Sequence, residues 1–435
     1  MLLLIKHRQQ HIVVIAGEKL MRRLLNIDFA LVQAIYWMLY TVAGSFVSVL
    51  LLEKDYTNAS IGTIIAVGSV LAILLQTVIT HVTDRSSRLD SIGMIKILTL
   101  LLAAGVFAVL LIGEKSAALT IAYVGVIILH TAMHPFVNAL SFKLEETGLQ
   151  VNYGVGRSMG SLAAGGISFV LGYLVVWFQP EIILYLALVN LALLTLVIFA
   201  TGHHYKKAMS NHKDIPKNFD AAKNPARQSI GMLEFMRRNR LFAFMSLGII
   251  ALFFGNVIQE NFTLQIVQGI GGDTSDMGIV ILLLCVCEMP AMIAFHKLKM
   301  RFSYVFLLRL SAVFFTIKIF VMYLADSMVV FYLAQLCQII GYGLLFPAMV
   351  SFIDAIMDKG EALRGQAMFT VAITLGNIIG SVAGGMILDL CSSKMLLLTG
   401  TLVSVAGTLL IVLLVKPVSV SHLSVDKDAF HRKNT

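Results

Sequence analysis

Charge is what this chain has least of. Asp, Glu, Lys and Arg make up 13% of its 435 residues, about half the share found in an average soluble domain. Hydrophobic residues make up 58%, more than a water-soluble core of this size can hide. A soluble enzyme, a secreted domain and a disordered chain are therefore excluded. Cysteine is also scarce. Cys285, Cys287, Cys337 and Cys391 all fall inside apolar stretches, which argues against a disulfide framework and against a cysteine-rich metal site. Proline numbers 7 against 33 glycines, the balance of helices packed closely in a membrane. No Gly-x-x-x-x-Gly-Lys loop is present to cradle a nucleotide, so neither ATP use nor any cofactor is expected. Nothing reads as a cleaved signal peptide. Met21-Arg22-Arg23 looks like an ordinary start ahead of a first span, which makes Met21 a candidate initiator.

What fills the chain instead is a series of long apolar runs. A membrane-spanning helix needs about 20 mostly apolar residues. Twelve segments qualify, at approximately 27–52, 60–82, 92–113, 117–142, 156–178, 181–203, 241–268, 276–298, 303–325, 327–356, 364–391 and 394–416. They are too long for barrel strands and do not alternate with period 2. The expected fold is an all-α membrane protein of twelve transmembrane helices. With both termini in the cytoplasm, 26 of the 33 Lys and Arg residues fall in cytoplasmic segments, and only Lys54, Lys115 and Lys394 lie in the opposite loops. That asymmetry sets the expected orientation. The +9 charge therefore points to anionic headgroups and not to nucleic acid.

The longest polar stretch splits the spans six and six. The expected organisation is a cytoplasmic segment 1–26, a six-helix bundle 27–203, a linker 204–240, a second bundle 241–416 and a tail 417–435. The halves echo each other. Gly62 opens span 2 and Gly278 opens span 8, 216 residues later; Pro135 sits late in span 4 and Pro347 late in span 10. Span 5 carries Gly160, Gly165, Gly166 and Gly172, and span 11 carries Gly376, Gly380, Gly384 and Gly385. Glycines recur in any helix bundle, but several matches at nearly one offset point to a duplicated six-helix unit.

Ionisable groups at mid-membrane cost about 2.5–3.5 kcal/mol each on insertion scales, so each needs a reason. Glu288 lies mid-span 8 with no charged neighbour within seven residues. A carboxyl deprived of water is a candidate to bind and release a proton; the plainer reading is a structural ion pair. Glu260 in span 7 is a second proton candidate, or else a rim group, and on a continuous helix Asn256 and Gln259 share its face. Arg157, at the start of span 5, stays charged and must meet a carboxylate, carbonyls or a polar substrate unless it is a headgroup anchor. Lys318 in span 9 is deep enough to neutralise Glu288 or Glu260, whereas Lys96 and Arg309 can snorkel. His130 and His134 share one face of span 4 with Asn138; they read as polar lining or packing, and no metal site is expected. Tyr36, Trp37 and Tyr40 cluster in span 1 and could stack on a sugar ring or a base, or simply pack. Asp84, Arg85 and Arg88 after span 2 form a candidate latch between helices.

Twelve spans, a basic central loop and Asp84-Arg85-x-x-Arg88 resemble the major facilitator superfamily over residues 21 to 416. The superfamily motif usually has glycine four residues before the Asp and before the last basic residue; Thr80 and Ser87 stand there. Tyr153-Gly154-x-x-Arg157-x-x-Gly160-Ser161 resembles the start of span 5 in the branch containing lactose permease, nucleoside–proton symporters and the phenylpropionate permease. That resemblance implies that Arg157 binds substrate and that Glu288, in Glu288-Met-Pro290, serves substrate and proton coupling. Asn138 stands where lactose permease has a sugar-binding carboxylate, and Ala164 replaces an aromatic. The His–Glu pair of span 10 has no equivalent, since Gln335, Gln338 and Tyr342 occupy that region. Lactose itself is therefore not the expected substrate.

The expectation is a secondary active transporter, not an enzyme. Protons and a small polar solute (a sugar, oligosaccharide or nucleoside) would be its partners, and a single copy would suffice. Glu288 and Glu260 are the proton-coupling candidates. Arg157, Asn138, His134, Asn256, Gln259, Tyr36 and Gln338 are the candidate substrate contacts, with Lys318 balancing charge. A proton-coupled drug or metabolite efflux antiporter is the alternative; a receptor built on a transporter scaffold is disfavoured by the short tail.

Overall fold

The computed structural model describes residues 2–85, 89–211, 232–357 and 361–415. They form the helices α1 (Leu2–Tyr40), α2 (Val47–Glu53), α3 (Asn58–Arg85), α4 (Ser91–Ile112), α5 (Ala117–Glu145), α6 (Tyr153–Trp177), α7 (Ile182–Asn211), α8 (Met232–Arg238), α9 (Arg240–Gln268), α10 (Thr274–Arg301), α11 (Tyr304–Leu324), α12 (Met328–Gln335), α13 (Gly341–Ile356), α14 (Ala362–Leu390) and α15 (Ser393–Leu414). Among the described residues, twelve helical stretches are long and apolar enough to cross a membrane. Span 1 is α1 plus α2, joined by a π-turn at Thr41–Ser45. Spans 2 to 6 are α3 to α7, and spans 7 to 9 are α9 to α11. Span 10 is α12 plus α13 with a 3₁₀ turn at Leu336–Gln338 between them, and α14 and α15 are spans 11 and 12.

Two boundaries differ from the sequence reading. α1 begins at Leu2, so the segment 1–26 is largely a helical extension of span 1, and α7 runs on to Asn211 inside the expected linker. Hydropathy marks where lipid ends. A helix ends where its backbone is capped or broken, and α7 stays helical through Gly202 at its apolar limit. Where caps exist the starts are sharp. Asp90, Ser116, Asn152, Ser303 and Ser392 each accept the backbone N–H three residues on, and Asp273 forms a reciprocal capping box with Asp276.

The two halves pack alike. In each, the first span lies against the fifth and sixth, the third against the fourth and sixth, and the second against the fourth. Between the halves, span 2 meets span 11 and span 5 meets span 8. These two seams are related by the internal repeat. A Cβ on Gly62 would collide with the carbonyl oxygen of Ser381, and one on Gly278 with that of Ser168. One on Gly385 would collide with the carbonyl of Asn58, and one on Gly172 would stand 2.7 Å from that of Thr274. All four glycines lie toward the ends of their spans opposite the chain termini, so the halves touch backbone to backbone at that far face. Among the described residues, the hydrogen bonds joining the halves fall there and at mid-span: Asn58 and Ala59 with Asp389, Gln265 with Asn58, Ser168 with Gly278, and Ser161 with Glu288. Toward the terminal face, Gln76, Thr77, Thr80 and His81 of span 2 line an open cleft. The latch expected at Asp84, Arg85 and Arg88 lies outside the side chains described.

Candidate functional site

The N-terminal half contributes an aromatic and amide cluster at mid-span. The helical spacing of span 1 puts Gln33, Tyr36, Trp37 and Tyr40 on one side, facing span 4. The Tyr36 ring stacks on His130 with centroids 4.6 Å apart, and Trp37 and His134 meet edge to face at 5.6 Å. Trp37 Nε1 donates to Gln33 Oε1 (3.2 Å), Gln33 Nε2 donates to Asn138 Oδ1 (3.3 Å), and Asn138 Nδ2 lies 3.1 Å from His134 Nε2. Each polar group thus holds the next in place, as burial in a lipid-embedded bundle requires.

Arg157 enters this cluster from span 5. Its guanidinium lies over the Trp37 ring at 4.1 Å, a cation–π arrangement. Gly160 makes room for this, because a Cβ there would press on the Trp37 indole at 2.5 Å. Arg157 Nη1 donates to Ser161 Oγ at 3.2 Å, and Ser161 Oγ donates to Glu288 Oε1 of span 8 at 3.0 Å. Among the described residues no ion pair joins Arg157 to Glu288 directly; one serine hydroxyl bridges them across the two halves.

The C-terminal half contributes a second polar chain. Lys318, 2% exposed, donates to Gln338 Oε1 at 2.8 Å and to Asn256 Oδ1 at 3.5 Å. Asn256 Nδ2 donates to Glu260 Oε1 at 2.6 Å. Lys318, expected to balance charge, reaches Glu260 through the Asn256 amide, with the ammonium and the carboxylate in Coulombic reach of each other, and among the described residues no direct ion pair joins them. The two chains face one space. Tyr40 is in electrostatic reach of Glu260 and Cys285, and Tyr342 is in reach of Glu288, Glu260, Tyr40 and Arg157. Tyr40 keeps 41% of its surface open beside these groups of the opposite half, and the region between the halves is termed the chamber.

A family model described as "MFS_1 like family" matches residues 30–398. The chain belongs to the MFS_1-like family of major facilitator transporters. No curated protein matches it. Among solved structures, the nucleoside transporter NupG in a single-site mutant form has a TM-score of 0.76 at 15% identity, covering 90% of this chain and 100% of that one. The peptide transporter POT, also a mutant, has a TM-score of 0.64 at 12% identity, covering 89% and 93%. A bacterial homolog of the human lysosomal transporter Spinster, inward-facing and unoccupied, has a TM-score of 0.57 at 14% identity, covering 91% and 95%. At these identities the likeness is one of fold.

Within this major facilitator fold the expected contact residues divide. Arg157, Asn138, His134, Glu260 and Glu288 are partly buried. Tyr36, Asn256, Gln259 and Gln338, also expected as substrate contacts, are at most 5% exposed in this conformation. Tyr36 is covered by His130 and His134, and Gln338 is taken up by Lys318. Gln259 does not share the Glu260 face; its Nε2 donates to Gln335 Oε1 at 2.7 Å between spans 7 and 10. These side chains brace the groups in front of them. Sequence reasoning missed the bridging role of Ser161, the chamber position of Tyr342, and the greater openness of Trp37 and Tyr40 relative to Tyr36. The signal for Ser161 was its place four residues after Arg157, one turn on along the same face.

Proposed function

We propose that this transporter is a proton-coupled symporter of a small polar solute, a sugar, oligosaccharide or nucleoside, working by alternating access in the cell membrane with both termini in the cytoplasm. Glu288 carries the coupling proton, with Glu260 as a second site. Arg157, Asn138 and His134 bind the polar groups of the solute, and Trp37 and Tyr40 offer ring faces to its flat or ring-shaped part. The observation that carries this reading is the chain from Arg157 through Ser161 to Glu288, which links a solute-binding cation in one half to an acid in the other. The fold likeness to a nucleoside transporter is consistent with it. With the far-face seam closed, the chamber opens toward the cytoplasm; rocking the halves about the site would open it outward.

Uptake into proteoliposomes under an imposed pH gradient tests this, screening sugars, nucleosides and aromatic acids. Wild-type protein should accumulate its solute uphill. Glu288→Gln should lose uphill accumulation and retain some equilibrative exchange. Full uphill accumulation by that variant removes Glu288 from the coupling role. Outward transport of apolar cations in exchange for protons would instead support the antiporter reading.

A further inference from the structure

We infer that Ser161 is the positioning residue through which the protonation state of Glu288 is read by Arg157. The inference rests on the proposed coupling role of Glu288 and adds the element that transmits it. Ser161 is 8% exposed and sits at the seam of spans 5 and 8, so its hydroxyl has few alternative partners. A hydroxyl has one proton to give and two lone pairs to accept with. In this structure the proton goes to Glu288 Oε1 at 3.0 Å, and one lone pair takes Arg157 Nη1–H at 3.2 Å. The carboxylate therefore fixes which way the hydroxyl points, and the hydroxyl fixes one arm of the guanidinium. The other anchor of Arg157 is the Trp37 face at 4.1 Å.

Adding one proton to Glu288 turns an acceptor-only group into a donor. The acid O–H then points at Ser161 Oγ, whose own hydrogen rotates away into the chamber and keeps its covalent bond. The hydroxyl now faces two donors, Glu288 and Arg157, and offers its hydrogen to a solute oxygen instead. Charge changes in the same step, because Arg157 loses the nearby negative group and becomes a stronger site for an electron-rich solute. Solute affinity and proton affinity are thereby linked through one side chain, and the link is reciprocal. The other titratable or charged groups around Glu288 are Glu260 on span 7, Tyr342 on span 10 and Cys285 on its own span, with Tyr40 of span 1 within reach of Tyr342 and Cys285. None of them is placed in hydrogen-bond contact with both Arg157 and Glu288.

Tryptophan fluorescence reads this link without any solute. The chain has two tryptophans, and Trp177 is 71% exposed at the end of span 5, so Trp177→Phe leaves Trp37 as the single emitter under the Arg157 guanidinium. In nanodiscs, Trp37 emission of the full-length Trp177→Phe protein should pass through one step on acid titration. The step should be lost in Ser161→Ala and kept in Ser161→Thr, which restores the hydroxyl. Infrared difference spectra should still show the Glu288 carboxylic-acid band appearing in Ser161→Ala, demonstrating that the acid titrates but is no longer read. Persistence of the emission step in Ser161→Ala overturns the inference. His134 also touches Trp37, so the step must vanish in Glu288→Gln; survival there assigns it to the histidine and overturns the inference as well. Loss of uphill transport in Glu288→Gln together with an unaltered step in Ser161→Ala would leave the symport reading standing and remove only Ser161.

Discussion

Gly62 of span 2 and Ser381 of span 11 pass so closely at the far face that no Cβ fits on Gly62 against the Ser381 carbonyl. The same relation holds for Gly278 and Ser168 between spans 8 and 5. Backbone contact of this kind is tight but holds few side chains, so it can separate without unpacking either half. Gly62→Val or Gly278→Val should force the seam apart and favour the conformation open at that face. With Cys285, Cys287, Cys337 and Cys391 replaced by serine and Tyr40→Cys as the single thiol, a membrane-impermeant thiol reagent applied from the far side should label the valine variants at least about tenfold faster than their parent, a shift of about 1.4 kcal/mol between the two states. Equal labelling rates would show that the glycine contacts do not hold the seam.

The two seams differ in one respect. Asp389 of span 11 reaches across and accepts the backbone N–H of Asn58 at 2.9 Å, the Asn58 side chain at 2.9 Å and the backbone N–H of Ala59 at 2.8 Å. It thereby caps the N-terminus of span 2 from the other half, where a carboxylate is favoured by unpaired N–H groups and by the helix dipole. Span 8 is capped by its own Asp273, outside the apolar stretch, and hydrogen bonds from Ser275 hold that carboxyl below its ordinary value of 3.8. Asp389→Asn should therefore weaken the 2–11 seam by about 1–2 kcal/mol and leave the 5–8 seam unchanged. Hydrogen–deuterium exchange checks this: the amides at the start of span 2 should exchange faster, and those at the start of span 8 should not.

Much of this architecture was legible because lipid makes certain errors expensive. Apolar runs of span length, the basic bias of one set of loops, and Arg157, Glu260, Glu288 and Lys318 in the wrong solvent could all be read one residue at a time. The repeat was legible because close backbone approach tolerates only glycine at Gly62, Gly172, Gly278 and Gly385. What could not be read depends on helix rotation and local geometry. Glu260 and Gln259 are neighbours in sequence, yet one faces the chamber and the other Gln335. The π-turn at Thr41–Ser45 and the break at Phe262, with φ −121° and ψ 25°, follow from packing and leave no mark in composition. Ser161 escaped notice because a hydroxyl costs little to bury and so raises no alarm.

Lys54 and Glu181 tie the loop after span 1 to the loop before span 6 at 2.5 Å. The hydrogen bond from Lys54 holds the Glu181 carboxyl below its ordinary value of 4.5. An acid depressed in the folded state adds stability that is fully present above its unfolded value and is lost as pH falls through the folded one. Both side chains are partly exposed, so the contribution is small, about 0.5–1 kcal/mol. Glu181→Gln should lower the thermal midpoint slightly at neutral pH, and the difference from wild type should shrink as the medium is acidified below the ordinary carboxylate range. A gap that widens in acid would contradict the assignment.

Lys318 and Glu260 are opposite charges inside the C-terminal half, joined among the described residues through Asn256. Removing one member of such a set leaves the other buried without compensation, which costs more than the interaction was worth. Lys318→Met and Glu260→Gln should therefore each lower thermal stability clearly. The double variant, with neither charge, should recover much of the loss. The four proteins form a double-mutant cycle, and the expected coupling is about 1–3 kcal/mol. The transport consequences should diverge from the stability ones: the double variant should fold well yet, if Glu260 serves as a second proton site, accumulate solute with an altered response to the imposed pH gradient. Strict additivity of the two single losses in stability would mean that Asn256 transmits nothing between them, and that Lys318 is held by Gln338 alone.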